Sequence, residues 1–324
     1  MTRLGFLGVG WIGRDRMRAI VASGLAEATL VADASPQAAA EAAAEAGAEA
    51  VRPEELLAAG LDGVVIATPS ALHAEQTLAA LRGGSAVFCQ KPLGRTAAET
   101  AEVVAAARVA DRLLGVDLSY RHLAATEALR KVLESGELGE VYAAELVFHN
   151  AYGPDKPWFR DPELSGGGCV IDLGTHLVDL ALHLLPGAGV EGVCSRLFAG
   201  GRPLDGRTDV VEDFATARID LTGGRVLTLG CSWNLHAGQE AVIAATFHGT
   251  SGAVALTNVG GSFYDFRATR HTGTSRSVLV EPPDAWGGRA AVDWTRRLAA
   301  GERYDPANEE LVTTAAVLDR VYGR

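Results

Sequence analysis

Four cysteines in 324 residues, with no CxxC pair among Cys89, Cys169, Cys194 and Cys231, leave no material for a disulfide framework or a thiolate zinc site. Reduced thiols serving as small buried residues are the expectation. Long apolar runs are missing as well. No stretch approaches the ~20 residues of a membrane helix. The opening Met1-Thr2-Arg3-Leu4-Gly5-Phe6-Leu7-Gly8 runs into a strand pattern rather than a secretory leader. Positive charge is scarce: 29 Lys and Arg against 40 Asp and Glu give a net charge of −11. A nucleic-acid or anionic-membrane partner wants a basic face, so this balance argues against both. A nucleophile elbow of the G-x-S-x-G type is absent too, which disfavours hydrolase chemistry of that kind. These absences together lead us to expect a cytoplasmic protein with no nucleic-acid or membrane partner.

What is present is an ordinary globular balance, 48% hydrophobic and 21% charged, over a length that suits two domains. Arg3 to Gly8 reads as a strand, followed by Gly8-Val9-Gly10-Trp11-Ile12-Gly13 and a helical stretch. This is GxGxxG between strand and helix. The first glycine permits a tight turn and the second lets a pyrophosphate approach the backbone. The third allows close helix–strand packing, and the helix N-terminus offers N–H groups to phosphate. Thr29 to Asp33 reads as the next strand and ends on an acid twenty residues after Gly13. A dinucleotide-binding fold places there the carboxylate that accepts the adenosine ribose hydroxyls. Ala34-Ser35-Pro36 brings no Lys or Arg for a 2′-phosphate, which favours NAD over NADP. The competing reading has Asp33 capping the helix that starts near Pro36.

Strands and helices go on alternating: Val64 to Ala67, a helix from about Leu72 to Arg82, Ala86 to Cys89, a helix from Thr96 to Ala110, and Leu113 to Leu118. That order implies a parallel, doubly wound sheet over residues 1–120. Ligands sit beyond the carboxyl ends of such strands, which places Thr68, Pro69, Gln90 and Lys91 on the same edge as the glycine loop. A cis Lys91–Pro92 bond would fix the direction of the lysine.

Residues 121–324 read as a second, α+β domain. Val141 to Phe148, the alternating Ala215 to Leu221 with its return through Val226 to Trp233, and the hairpin from Ala241 to Thr257 suggest a large, mostly antiparallel sheet. Helices are expected at about 124–134, 289–300 and 306–322. In front of the sheet strands lies Gly166-Gly167-Gly168 and then a helical pattern on which Asp172 and His176, four apart, share one face. A carboxylate beside an imidazole is equipment for proton transfer. Asp179 and His183 continue the row, but His183 is about 10 Å from His176 along a helix axis, too far to share one ion, so no metal is expected. The polar loop from Asn150 to Ser165 carries Trp158 and Arg160, which either contact a substrate or pack the loop down. Arg121 either reaches the site or bridges the domains.

These pieces resemble the Gfo/Idh/MocA oxidoreductases. The resemblance rests on Gly8 to Gly13, on Thr68-Pro69-Ser70 with His73 three further on, on Gln90-Lys91-Pro92-Leu93, and on Gly166 to Gly168 leading to Asp172 and His176. Phe247 to Gly252 looks like the family's Gly-Thr-x-Gly turn. The resemblance implies a catalytic set of Lys91, Asp172 and His176. It implies a cofactor site of Gly8, Gly10, Trp11, Ile12, Gly13, Asp33, Thr68, Pro69, Ser70, His73 and Gln90. Substrate contacts would come from Lys91, Arg121, Trp158, Arg160, Asp172 and His176. The implied reaction is NAD-dependent hydride transfer with a secondary alcohol of a sugar, cyclitol or related polyol, in a homodimer or homotetramer. The alternatives on this fold are a redox-neutral glycoside-cleaving or epimerising enzyme that retains its NAD, and a non-catalytic ligand sensor. One position departs from the family's habit: Gln90 stands where Glu is common, so Lys91 lacks an adjacent carboxylate in sequence.

Overall fold

The computed structural model describes every residue from Met1 to Arg324. Contacts divide the chain into two compact units, Met1–Ser119 with Ala285–Val312, and Tyr120–Asp284 with Thr313–Arg324. The return over Ala285–Val312 is not contained in a single boundary at 120/121.

In the first unit, β1 (Thr2–Leu7), β2 (Ala26–Ala32), β3 (Glu49–Ala50), β4 (Gly63–Ile66), β5 (Ala86–Cys89) and β6 (Leu114–Val116) form one parallel sheet in the order β3-β2-β1-β4-β5-β6. Between them run α1 (Trp11–Ser23), α2 (Pro36–Ala46), α3 (Pro53–Ala58), α4 (Ser70–Arg82) and α5 (Ala97–Ala110). The strands are short and apolar because both faces are covered. Alternate side chains enter opposite cores: Phe6, Val65 and Phe88 join one, while Leu7, Ile66 and Val87 join the other. The sheet order reverses beside β1, between β1 and β4, where a doubly wound fold binds its ligand.

The first of those cores is completed late in the chain. A helix over Arg289–Ala299 puts Ala290, Ala291 and Trp294 into it. Trp294 lies 5.7 Å, centroid to centroid, from Phe88. Space for the indole comes from two glycines: a Cβ at Gly63 or at Gly115 would stand 2.7 Å from its ring.

The second unit is built on a nine-stranded, mostly antiparallel sheet. Its strands are β7 (Val141–Asn150), β8 (Val190–Ala199), β9 (Arg202–Pro203), β10 (Phe214–Leu221), β11 (Arg225–Ser232), β12 (Ala241–Gly249), β13 (Ala253–Asn258), β14 (Phe266–Thr272) and β15 (Ser275–Val280). The order is β15-β14-β13-β12-β7-β11-β10-β8-β9, with β7 and β11 the one parallel pair. Strict alternation sets the buried face: Ala215, Ala217, Ile219 and Leu221 point in, while Thr216 and Arg218 point out. An α-helix over Thr175–Leu184 packs on β7, and the turn before it lies on β11. No helix in the chain is long and apolar enough to cross a membrane.

Candidate active site

Each glycine of the first loop does a different job. Gly8 has φ +85°, and a Cβ there would stand 2.7 Å from the Ala67 carbonyl and the Thr68 nitrogen. Gly13 packs its Cα against the loop itself, where a Cβ would meet the Gly8 carbonyl oxygen at 2.0 Å. Gly10, which caps α1, has nothing within 4 Å of its missing Cβ. No side chain caps this helix, so its N-terminal dipole and N–H groups are presented beside open space. Trp11 is 69% exposed at the same end. Such a cradle fits the pyrophosphate of a dinucleotide. Gly10→Ala is expected to melt like the wild-type protein, within a few tenths of a kcal/mol, because no protein atom is displaced. Its dinucleotide affinity is expected to fall about tenfold; equilibrium titration beside a thermal melt checks both. Equal affinity would remove the pyrophosphate from this loop.

Asp33 lies past the end of β2, half-buried. Its Oδ2 accepts from the Val9 N–H at 2.8 Å and its Oδ1 from the Ser35 N–H at 2.9 Å. The carboxylate thus ties the glycine loop to the start of α2. The cap of α2 is Ser35, whose Oγ accepts from Ala38 N–H. Thr68, Pro69 and Ser70 form the turn from β4 into α4. His73 is 1% exposed, and its two ring nitrogens contact the Pro92 carbonyl at 2.6 Å and the Thr68 carbonyl at 2.7 Å. Burial is the main cause of its lowered pKa, against the two carbonyl contacts, which raise it. His73 therefore supports two strand-end turns from beneath and offers no ring nitrogen to a ligand. The second of those turns holds half-buried Lys91, followed by a cis Lys91–Pro92 bond.

Gln90 and the residues just after β6 supply a buried polar network within the same unit. Gln90 Nε2 donates to Asp117 Oδ2, Arg16 Nε donates to the same oxygen at 2.6 Å, and Ser119 Oγ donates to Oδ1. Asp117 is 1% exposed and Arg16 6%. Neighbouring Cys89 is an inert thiol, since burial pushes its pKa up to about 12.

In the second unit, the stretch that reads as an amphipathic helix begins as a π turn over Val170–Gly174 and becomes α-helical at Thr175. The entry is crowded: a Cβ at Gly168 would meet the Glu212 carbonyl oxygen at 1.8 Å. Glu212 is itself 1% exposed. Its carboxylate accepts from Gly168 N–H at 3.0 and 3.1 Å, from Val170 N–H at 2.8 Å, and from Tyr322 O–H at 2.8 Å. Burial raises its pKa, and those hydrogen bonds oppose the rise. Pinned there, the chain widens into the π turn, a geometry that recurs at functional sites.

From Ser165 to Ala181 every residue is buried except Asp172 and His176. The pair is therefore the polar opening in an apolar element. Trp233 Nε1 donates to Asp172 Oδ2 at 3.0 Å. Tyr120 stacks on the His176 ring at 4.9 Å and is itself walled by Phe148 and Phe266. Burial and then the Asp172 charge hold the Tyr120 hydroxyl in its protonated form. Asp179 pairs with Arg121, whose Nε and second terminal nitrogen donate at 2.8 and 2.6 Å, so this carboxylate fixes the arginine. Trp158 stacks on Phe159 at 3.8 Å, Phe159 meets Trp233 edge-on at 6.5 Å, and the Arg160 guanidinium lies 6.0 Å above the Trp233 ring. The loop is thus packed onto the indole that holds Asp172. No group of three or more His, Cys, Asp or Glu side chains is arranged to hold a metal ion.

Tyr120, Asp117, Glu212, Trp233 and Tyr322 do not announce themselves in the sequence. For Trp233 alone a signal exists: a buried indole N–H must find an acceptor.

Comparison with known proteins adds the following. Residues 2–118 match the family described as "Oxidoreductase family, NAD-binding Rossmann fold", and residues 126–255 match the GFO/IDH/MocA C-terminal domain. The 1,5-anhydro-D-fructose reductase of Ensifer adhaerens is 32% identical over 244 residues, 70% of this chain and 73% of that protein. Among solved structures, levoglucosan dehydrogenase in complex with NADH and levoglucosan superposes with TM-score 0.83 at 22% identity, covering 99% of this chain and 95% of the other. A 3-ketoreductase from Actinomadura kijaniata in complex with NADP and TDP-benzene gives TM-score 0.83 at 21% identity, covering 99% and 96%. At those identities the structural likeness is one of fold.

Proposed function

Because the chain belongs to the GFO/IDH/MocA family of oxidoreductases, we propose that it transfers a hydride between a secondary alcohol of a sugar, cyclitol or related polyol and a nicotinamide. The observation that carries this reading is the partial exposure of Asp172 and His176 alone along an otherwise buried element. His176 accepts the hydroxyl proton of the alcohol in the oxidative direction and returns it in reduction. Tyr120 stacked on its face and the buried helix below leave the imidazole little freedom to turn. Asp172, steadied by the Trp233 N–H, holds the hydroxyl in register. Lys91 supplies the positive charge that stabilises the developing alkoxide. Arg121, Trp158 and Arg160 shape the substrate side, the first through its pair with Asp179 and the others through Trp233.

The dinucleotide supplies the hydride acceptor and donor when bound. Gly8, Gly10, Trp11, Ile12 and Gly13 would hold its pyrophosphate, Asp33 its adenosine ribose, and Thr68, Pro69, Ser70 and Gln90 the nicotinamide end. Asp33 without a neighbouring Lys or Arg in Ala34-Ser35-Pro36 supports NAD in preference to NADP. The chain pairs with copies of itself through the open face of the nine-stranded sheet, and mass measurement in solution checks the dimer or tetramer.

The test is a panel of pyranoses, anhydro sugars, cyclitols and amino sugars, followed by absorbance of the reduced nicotinamide at about 340 nm, with NAD and NADP in parallel. We expect turnover on at least one ring secondary alcohol and a kcat/KM for NAD at least tenfold above that for NADP. Turnover of a glycoside with no added cofactor would transfer the assignment to the redox-neutral class. Silence across the panel, with dinucleotide bound, would turn it to a sensor.

A further inference from the structure

The buried network around Asp117 has a direction to it. The Asp117 carboxylate accepts three hydrogen bonds and donates none, so the group facing it from position 90 must be a donor. Gln90 meets that demand with Nε2, which leaves its carbonyl Oε1 as the acceptor of the side chain. Gln90 is half-buried at the carboxyl end of β5, on the ligand edge of the sheet, whereas Asp117 is sealed beneath it. The buried charge of Asp117 is opposed by the one buried guanidinium, Arg16, on the first turns of the helix capped by Gly10, and Arg16 also pairs with the half-exposed Asp15. A carboxylate at position 90 would face Asp117 oxygen to oxygen, with a single arginine, already shared with Asp15, to oppose both.

We propose that Asp117 is a positioning residue for the cofactor contact made at position 90, and that Gln90 and Asp117 are a matched amide–carboxylate pair charge-balanced by Arg16. Asp117 touches no ligand. It fixes the rotation of the Gln90 amide so that an uncharged acceptor, and not an N–H, is presented to the dinucleotide. Through Arg16 it also couples that contact to the helix whose N-terminus forms the pyrophosphate cradle. This inference rests on the dinucleotide reading above.

The experiment compares the wild-type protein, Gln90→Glu, and the charge-conserving exchange Gln90→Glu with Asp117→Asn. In the exchange the amide introduced at position 117 donates to the carboxylate introduced at position 90, and Arg16 Nε, which shares Asp117 Oδ2 with the Gln90 amide in the wild type, turns to the new carboxylate. The hydrogen bond is then kept with its polarity reversed, and the net charge is that of the wild type. Two readouts are taken: NAD dissociation constants from quenching of tryptophan fluorescence, and thermal unfolding of the cofactor-free protein. Gln90→Glu is expected to weaken NAD binding at least tenfold and to lower the melting temperature without cofactor. In the exchange both return most of the way, to within about threefold in affinity. kcat at saturating NAD moves less than KM for NAD. The proposal is overturned by a Gln90→Glu protein that binds NAD within twofold of wild type, or by an exchange no better than Gln90→Glu in either readout. A wild-type protein that binds no nicotinamide dinucleotide would instead sink the dinucleotide reading, while the melting comparison still decides whether the pair is matched.

Discussion

Replacing Lys91 by Ala is expected to lower kcat by about three orders of magnitude while leaving the NAD dissociation constant within about threefold of wild type. The size follows from what one well-placed charge contributes to a developing oxyanion, roughly 10²–10³ in kcat, with a share of the proton-transfer term added. Binding is spared because the cradle is made elsewhere, by the glycine loop and the start of α1. Steady-state rates on the best substrate of the panel, set beside a fluorescence titration with NAD, separate the two effects. Full activity in this variant would remove Lys91 from the chemistry. Replacement of His176 by Asn is expected to cost about 10²–10⁴, and the double variant far less than the product, since groups acting on one proton transfer are not additive.

The second large effect is structural and lies at Glu212. Truncation to Ala strands the N–H groups of Gly168 and Val170 and the hydroxyl of Tyr322 in a dry interior. Each orphaned donor costs roughly 1–3 kcal/mol, so a loss of about 3–5 kcal/mol is expected. For a unit of this size that is a fall in melting temperature of roughly 10 °C. Tyr322→Phe, which removes one donor and orphans nothing, should cost only about 1 kcal/mol. Amide exchange at Gly168 and Val170 should speed up in Glu212→Ala well before the rest of the sheet opens. A truncated protein that melts with the wild type would mean that the carboxylate pins nothing. The pH dependence has a definite sign. Burial holds the folded-state pKa above the unfolded one, so the folded protein binds the proton more tightly. Stability contributed by that proton is complete below the unfolded value and is lost as pH rises through the folded one. Glu212→Gln should flatten that part of the stability curve.

The legible parts of the molecule share one property: their signal is local. The glycine loop, the acid at the end of β2, the alternating strands and helices of the first unit, and the spacing of Asp172 and His176 are each set by neighbours in sequence. The hairpins from Phe214 to Asn258 are legible for the same reason, since period-two alternation reports a half-buried strand. The supports of the site are not local. Trp233 is 61 positions from Asp172, Glu212 is 44 from Gly168, and Asp117 is 101 from Arg16. No periodicity links such pairs. The π turn escapes a sequence reading because helical spacing is compatible with either geometry, and what decides between them is the close approach of Gly168 to Glu212. A histidine in a motif looks the same from sequence whether it faces a ligand or, as His73 does, two carbonyls.

Trp294 gives the first unit a calendar. The indole fills a space that Gly63 and Gly115 hold open beside Phe88, yet the ribosome makes it about 200 residues after that phenylalanine. At the usual ~5–20 residues per second, that is roughly ten to forty seconds of synthesis. Once β6 has emerged, the six-stranded sheet stands with one core unfilled while Tyr120–Asp284 of the second unit is made. The part of the protein made first thus waits for a segment made after the second sheet, and its exposed apolar face is what a nascent-chain chaperone would have reason to hold.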